Sequence, residues 1–100
     1  MNKEKNIKKA VDFQEYLAEK LKDSEIKKHY DEYGKQLEVA YQILKLRKQK
    51  KLSQKELAKR IGTHQSDIAR MESGQQNFTT DTLQKIAQAL NSHLRIEFVK

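Results

Sequence analysis

The stretch SQKELAKRIGTHQSDIARMESG, residues 53–74, contains the boundaries of two short helices. Ser53 and Glu56 have the spacing of a capping box, in which the serine hydroxyl accepts from the Glu56 amide and the glutamate reaches back to the Ser53 amide. Gly62 follows six residues later and suits the left-handed position that ends a helix. Thr63 is then expected to cap a second helix, which ends at the glycine closing the stretch. The sequence therefore predicts two helices separated by a tight turn.

Two short helices joined in this way form a helix-turn-helix, in which the first helix braces the second and the second can enter the major groove of DNA. With Ile68 at the centre of the buried side of the second helix, Ser66 and Arg70 fall on the opposite side at 100° per residue. Gln65 lies at the N-terminal tip. An arginine suits a guanine and a glutamine suits an adenine. The alternative is that these polar residues form an ordinary solvated helix face.

Composition and charge are compatible with one small helical domain that has a polyanionic partner. The chain has 100 residues, no Pro, no Cys and three Gly, so long helices are allowed almost everywhere. Its net charge is +7, and residues 36–78 carry nine Lys and Arg against four acids. This concentration of charge favours nucleic acid. The alternative is that Lys-rich helices simply keep the chain in solution.

Apolar spacing predicts further helices on both sides of residues 53–74. An amphipathic helix is expected over residues 7–22, a second follows Asp23 or Ser24, and Gly34 is a plausible break before a longer helix at 35–50. After the central stretch, Thr80 is expected to cap a last helix. We therefore predict an all-α fold. It consists of an N-terminal helical extension (1–34), a helix-turn-helix domain (35–91) and a C-terminal segment (92–100).

The C-terminal segment changes its period from helix-like to strand-like. Leu94, Ile96 and Phe98 alternate with Arg95 and Glu97, which predicts a β-strand. A single strand needs a partner, and this partner is a second copy of the chain, a different chain or the domain's own surface. We expect Leu94, Ile96 and Phe98 to serve dimerisation.

The residues from about Gln42 to Leu90 resemble the Xre/phage-repressor-like helix-turn-helix family. The matching positions are Leu52, Gln54, Glu56-Leu57-Ala58, Gly62, Gln65-Ser66, Ile68, Glu72 and Gly74. The resemblance implies five packed helices, Gln54 on a phosphate, bases facing Gln65, Ser66 and Arg70, and a structural ion pair between Arg47 and Glu72. Asp67 departs from the expected charge, because an acid is repelled by phosphates unless it reads a cytosine. The predicted DNA-binding residues are Gln54, Lys55, Thr63, His64, Gln65, Ser66, Asp67, Arg70 and Asn77.

A narrower resemblance concerns the layout of the whole chain. A short N-terminal extension, the DNA-binding fold and a final LRIEF segment are arranged as in HigA-type antitoxins, which bind a RelE-like mRNA-cleaving toxin and repress their own operon. The resemblance implies that the segment before the helix-turn-helix contacts the toxin. The predicted toxin-binding residues are Phe13, Tyr16, Leu17, Leu21, Ile26, Tyr30 and Tyr33. The alternatives are that these residues pack on the chain's own core, and that the protein is a stand-alone repressor without a toxin.

Other function classes find little support in the sequence. His29, His64 and His93 lie in three different elements without metal-ligand spacing, and no Gly-rich phosphate loop is present. We expect no enzymatic activity, no metal, no cofactor and no small-molecule substrate. No apolar run approaches the roughly 20 residues that cross a membrane, so we expect no membrane partner and a cytoplasmic location. One recognition helix reads only a few base pairs, so we expect a homodimer on palindromic operator DNA.

Overall fold

The computed structural model describes residues 12–28, 30–74 and 76–100, and the side chains of all of these except residues 31–33. The described residues form six helices. These are α1 at 12–20, α2 at Ser24–Lys28, α3 at Tyr30–Gln49, α4 at Gln54–Ile61, α5 at Gln65–Ser73 and α6 at Thr80–Ala89. The all-α class is confirmed, and the expected count of five helices is roughly right.

The caps of α4 follow the sequence prediction. The Ser53 hydroxyl accepts from the Glu56 amide at 3.0 Å, and Glu56 Oε1 accepts from the Ser53 amide at 3.0 Å. Gly62 ends the helix with φ 75°, in the left-handed region that glycine adopts without steric cost. The N-cap of α6 lies one residue before the expected Thr80, because the Thr79 hydroxyl accepts a hydrogen bond from the Thr82 amide. An N-cap at Ser53 typically contributes about 1 kcal/mol to stability.

The core lies where α4 and α5 pack against α3 and α6. Leu37 of α3, Leu57 of α4, Ile68 of α5 and Leu90 after α6 are the largest fully buried side chains. Each such side chain stabilises the fold by about 1.5–3 kcal/mol relative to full exposure. Gly74 ends α5 with φ 79°, and a Cβ there would lie 2.5 Å from Leu37 Cδ2. The end of the recognition helix is therefore in close contact with α3.

The N-terminal helices pack on the domain. Ile26 of α2 is buried, and the Phe13 ring meets the Tyr41 ring of α3 at 5.1 Å between centroids. The expected break at Gly34 is wrong, because α3 continues through it from Tyr30 to Gln49. One glycine inside a helix costs only about 1 kcal/mol relative to alanine, which the packing of a 20-residue helix outweighs. The expected boundary between residues 34 and 35 thus lies inside a continuous helix.

The prediction of a C-terminal strand is wrong. Residues 92–100 have no regular secondary structure, and the described ranges contain no strand. A strand is held by backbone hydrogen bonds to a neighbouring strand, and the described residues offer none beside this segment. Leu94 is half-buried along a groove of about 530 Å³ between α3 and α6, whereas Ile96 and Phe98 are exposed. The apolar alternation therefore leaves large side chains in solvent.

Candidate nucleic-acid interface

The recognition helix α5 presents one polar side to solvent. Ile68 is fully buried and Met71 is nearly so, which fixes the side of α5 that faces the core. Gln65, Ser66 and Arg70 are exposed. Their positions at the first two turns agree with a helix that enters a groove by its N-terminal end. The three residues predicted to face bases therefore lie together on an accessible surface.

A hydrogen-bonded network behind this surface joins three helices. Arg47 of α3 and Glu72 of α5 form a buried ion pair with two bonds, Nε to Oε2 at 2.6 Å and Nη2 to Oε1 at 2.9 Å. Gln54 of α4 donates from Nε2 to Glu72 Oε1 at 3.0 Å. Gln65 Nε2 donates in turn to Gln54 Oε1 at 3.4 Å. The buried Glu72 carboxylate therefore positions Gln54, the residue predicted to contact a phosphate. Gln54 in turn contacts Gln65, which is predicted to contact a base.

Asp67 is bound within the first turns of α5. Its carboxylate accepts from the Thr63 hydroxyl, from the His64 amide at 3.4 Å and from Arg70 Nη2. The hydrogen bond from Thr63, then that from His64 and the charge of Arg70, lower the pKa of Asp67. The expectation that Thr63 caps α5 is wrong, because the N-cap is His64 and Thr63 instead donates to the acid. Asp67 thus orients Arg70 while about two thirds of the Arg70 side chain stays exposed.

The remaining predicted DNA contacts surround α5. Lys55, His64 and Asn77 are all exposed. The Asn77 side-chain oxygen accepts from Gln36 Nε2 of α3 at 2.7 Å. Gln36 was not predicted, because nothing in the sequence links positions 41 residues apart. The pairing of Asp67 with Arg70 was not predicted either, although their i, i+3 spacing could have indicated it.

The predicted toxin-binding residues lie mostly against the chain itself. The Tyr16 hydroxyl donates to the Glu72 backbone oxygen at 2.7 Å, and burial, followed by the charge of Glu72, raises the pKa of Tyr16. Phe13 stacks on Tyr16 and Ile26 is buried. Leu17 and Leu21 are half-buried, Tyr30 is exposed, and the Tyr33 side chain lies outside the described residues. Residues expected to meet a partner therefore include several that hold α1 on the domain.

The described residues show neither a metal site nor a membrane-spanning helix. Among residues 12–28, 30–74 and 76–100, no three His, Asp or Glu side chains are grouped as a metal site. No helix in this part of the chain is long and apolar enough to cross a membrane. His29 lies outside the described residues.

Comparison with known proteins gave one match. A sequence model of the helix-turn-helix family matches residues 43–96, which include most of the second half of α3, all of α4 to α6 and the start of the C-terminal segment. Neither curated protein sequences nor solved structures gave a match. The matched residues include the Arg47–Glu72 pair and the exposed side of α5, and exclude α1 and α2.

Proposed function

Because this chain belongs to the helix-turn-helix family and is a DNA-binding transcription regulator, we propose that it represses its own operon and neutralises a RelE-like mRNA-cleaving toxin. The observation that carries the proposal is the exposed side of α5, where Gln65 is hydrogen-bonded to Gln54, Arg70 is paired with Asp67, and Ser66 lies beside them. In this proposal the toxin binds α1 and α2, the helices that precede the matched family segment. The proposal gives the chain no catalytic role.

Recognition of an operator rests on two side chains of α5. Arg70 is the residue for a guanine, whose O6 and N7 accept two parallel bonds from a guanidinium. Gln65 is the residue for an adenine, and its contact with Gln54 limits its rotamers before DNA arrives. Each bidentate contact discriminates against a wrong base by about 1–3 kcal/mol. Lys55 and Gln54 would meet phosphates, which fix the register of the domain but read no sequence.

We propose that two copies bind together. A single recognition helix contacts too few base pairs for strong specificity, whereas a two-fold dimer reads two half-sites about 34 Å apart or a multiple of this distance. The C-terminal segment supports a dimer because Ile96 and Phe98 are exposed apolar residues, and Ile96 lines the groove between α3 and α6. Packing these side chains against a second copy would remove their apolar surface from water.

The toxin-facing surface in this proposal is the outer side of α1. Glu15 and Glu19 are exposed there, next to the half-buried Leu17 and Leu21. An mRNA-cleaving protein needs a basic surface for RNA, and an acidic helix is complementary to it in charge. The contacts of α1 with Tyr41 and Glu72 lie on its other side, and Glu15 and Glu19 stay exposed among the described residues although Glu19 pairs with Lys22.

A second candidate function is a stand-alone repressor. The observation that favours it is that Phe13, Tyr16 and Ile26 are used within the chain. In that case α1 and α2 serve only to brace α3 and the end of α5.

Co-purification separates the two candidates. The product of the adjacent open reading frame is tagged and co-expressed with the full chain. It is also co-expressed with a Glu15→Lys, Glu19→Lys variant and with a matched Glu38→Lys, Asp81→Lys control. Capture of wild type and control, but not of the α1 variant, supports the antitoxin function and its site. Capture of all three keeps the toxin but moves its contact surface. If the wild type is not captured, the stand-alone repressor is the better account.

A further inference from the structure

The turn between α3 and α4 contains a residue in an unfavourable backbone conformation. Lys51 has φ 58°, in the left-handed region that residues with a Cβ avoid and glycine adopts freely. Asn91, with φ 51°, is the other such residue outside glycine in the described ranges, and asparagine tolerates the region better than lysine. The backbone at position 51 therefore favours a residue other than the one present.

The conformation of this turn is imposed by buried contacts around it. Arg47 Nη1 donates to the Leu52 backbone oxygen at 2.7 Å, and the Leu52 amide donates to the Arg47 backbone oxygen at 3.2 Å. The Lys51 amide donates to the Lys48 oxygen at 3.0 Å. Because the guanidinium of Arg47 is itself fixed by Glu72, the chain cannot relax at position 51 without disturbing the core.

The Lys51 side chain makes no polar contact with the described residues. It is exposed, and its ammonium takes part in no hydrogen bond or ion pair in the part of the chain that the structure describes. Glycine at this position would keep every backbone bond of the turn and relieve the strain. A lysine therefore occupies this position although it lowers local stability. Residues held in unfavourable backbone conformations cluster at functional sites.

We propose that Lys51 binds a DNA backbone phosphate, as a contact additional to Gln54 and Lys55. The inference rests on the DNA-binding function proposed above. Lys51 precedes the predicted phosphate residue Gln54 by three positions, and three residues span at most about 10 Å. The surrounding segment 45–60 carries eight Lys and Arg against one acid, so the local potential favours a polyanion. Neither Ser53 nor Leu52, between them, carries charge.

The test uses three variants of the full chain and one control. Lys51→Gly and Lys51→Asn remove the charge and suit the left-handed backbone, whereas Lys51→Arg keeps the charge. Lys27→Gln removes one charge from α2, at the far end of the 20-residue α3, which is about 30 Å long. Binding to a random-sequence 20-base-pair duplex is measured from 50 to 200 mM NaCl, and thermal unfolding is followed by circular dichroism.

Loss of one phosphate contact should lower the slope of log affinity against log salt by about 0.9, so the affinity ratio of wild type to variant should shrink about 3.5-fold over this range. We expect this for Lys51→Gly and Lys51→Asn, and unchanged slopes for Lys51→Arg and Lys27→Gln. Lys51→Gly should unfold at the wild-type temperature or about 4 °C above it, which excludes misfolding as the cause.

Wild-type slopes in Lys51→Gly and Lys51→Asn would overturn the inference while leaving the DNA-binding function intact. An equal loss in Lys27→Gln would also overturn it, because net charge would then be the cause. A wild type that does not bind the duplex at 50 mM NaCl would refute the proposed function itself.

Discussion

Removing Arg47 from its ion pair should destabilise the fold and weaken DNA binding by separable routes. Arg47→Met keeps much of the side-chain volume but leaves the Glu72 carboxylate, 4% exposed, with Gln54 as its remaining side-chain donor. An uncompensated buried charge of this kind costs about 3–5 kcal/mol. In a domain of this size that lowers the melting temperature by at least about 12 °C. Urea unfolding followed by circular dichroism measures the free energy directly.

The double variant Arg47→Met, Glu72→Leu provides the control. It removes both charges, so the remaining cost is about 1–3 kcal/mol for the Leu52 oxygen that loses its donor. Stability should therefore be partly recovered relative to Arg47→Met. DNA affinity should stay low, because Gln54 has lost the carboxylate that positions it. The reasoning is refuted if Arg47→Met costs less than about 1 kcal/mol, or if the double variant is less stable than the single one.

Three further predictions concern α5 and its contacts. Arg70→Ala should lower the DNA-binding free energy by about 1–3 kcal/mol at one base pair and relax specificity there. The assay compares binding to a duplex selected by the wild type with binding to its scrambled version. An unchanged preference for the selected duplex would contradict this placement of α5. Tyr16→Phe should cost about 0.5–1.5 kcal/mol through the bond lost to Glu72. Because the pKa of Tyr16 is raised, wild-type stability should also fall above about pH 10 and that of the variant should fall less; parallel profiles would contradict it. Asp67→Asn should be less stable than wild type near pH 7. Because the pKa of Asp67 is lowered in the folded chain, this difference in stability should disappear as the pH falls below about 4. A difference in stability that persists at lower pH would point to another cause.

Local chemistry explains why much of the fold could be predicted. The capping box at Ser53 and the left-handed Gly62 depend on residues three to six positions apart, and both were predictable from the sequence. The family resemblance indicated the pairing of Arg47 with Glu72. The geometry around Asp67 was not predicted because its carboxylate was interpreted only through DNA, as repelled by phosphates or reading a cytosine, although its neighbours Thr63 and Arg70 could bind it.

Two errors have a shared physical cause. Gly34 was expected to end a helix and residues 92–100 to form a strand, since both judgements used local preference alone. The preference of one glycine is weak against the packing of α3. A strand is not a local structure at all, because its hydrogen bonds come from another segment.

The amino-acid sequence by itself determined the positions of α4 and α5, the polar side of the recognition helix and the concentration of positive charge around it. These features follow from caps, glycines and a period of 3.6 residues, which act within a few positions along the chain. Only the tertiary structure decided that Tyr16 of α1 binds the end of α5, that Gln36 binds Asn77, and that Arg47 binds the Leu52 oxygen beside the left-handed Lys51. Such contacts join residues far apart in sequence or depend on a buried group, so they exist only once the core has packed.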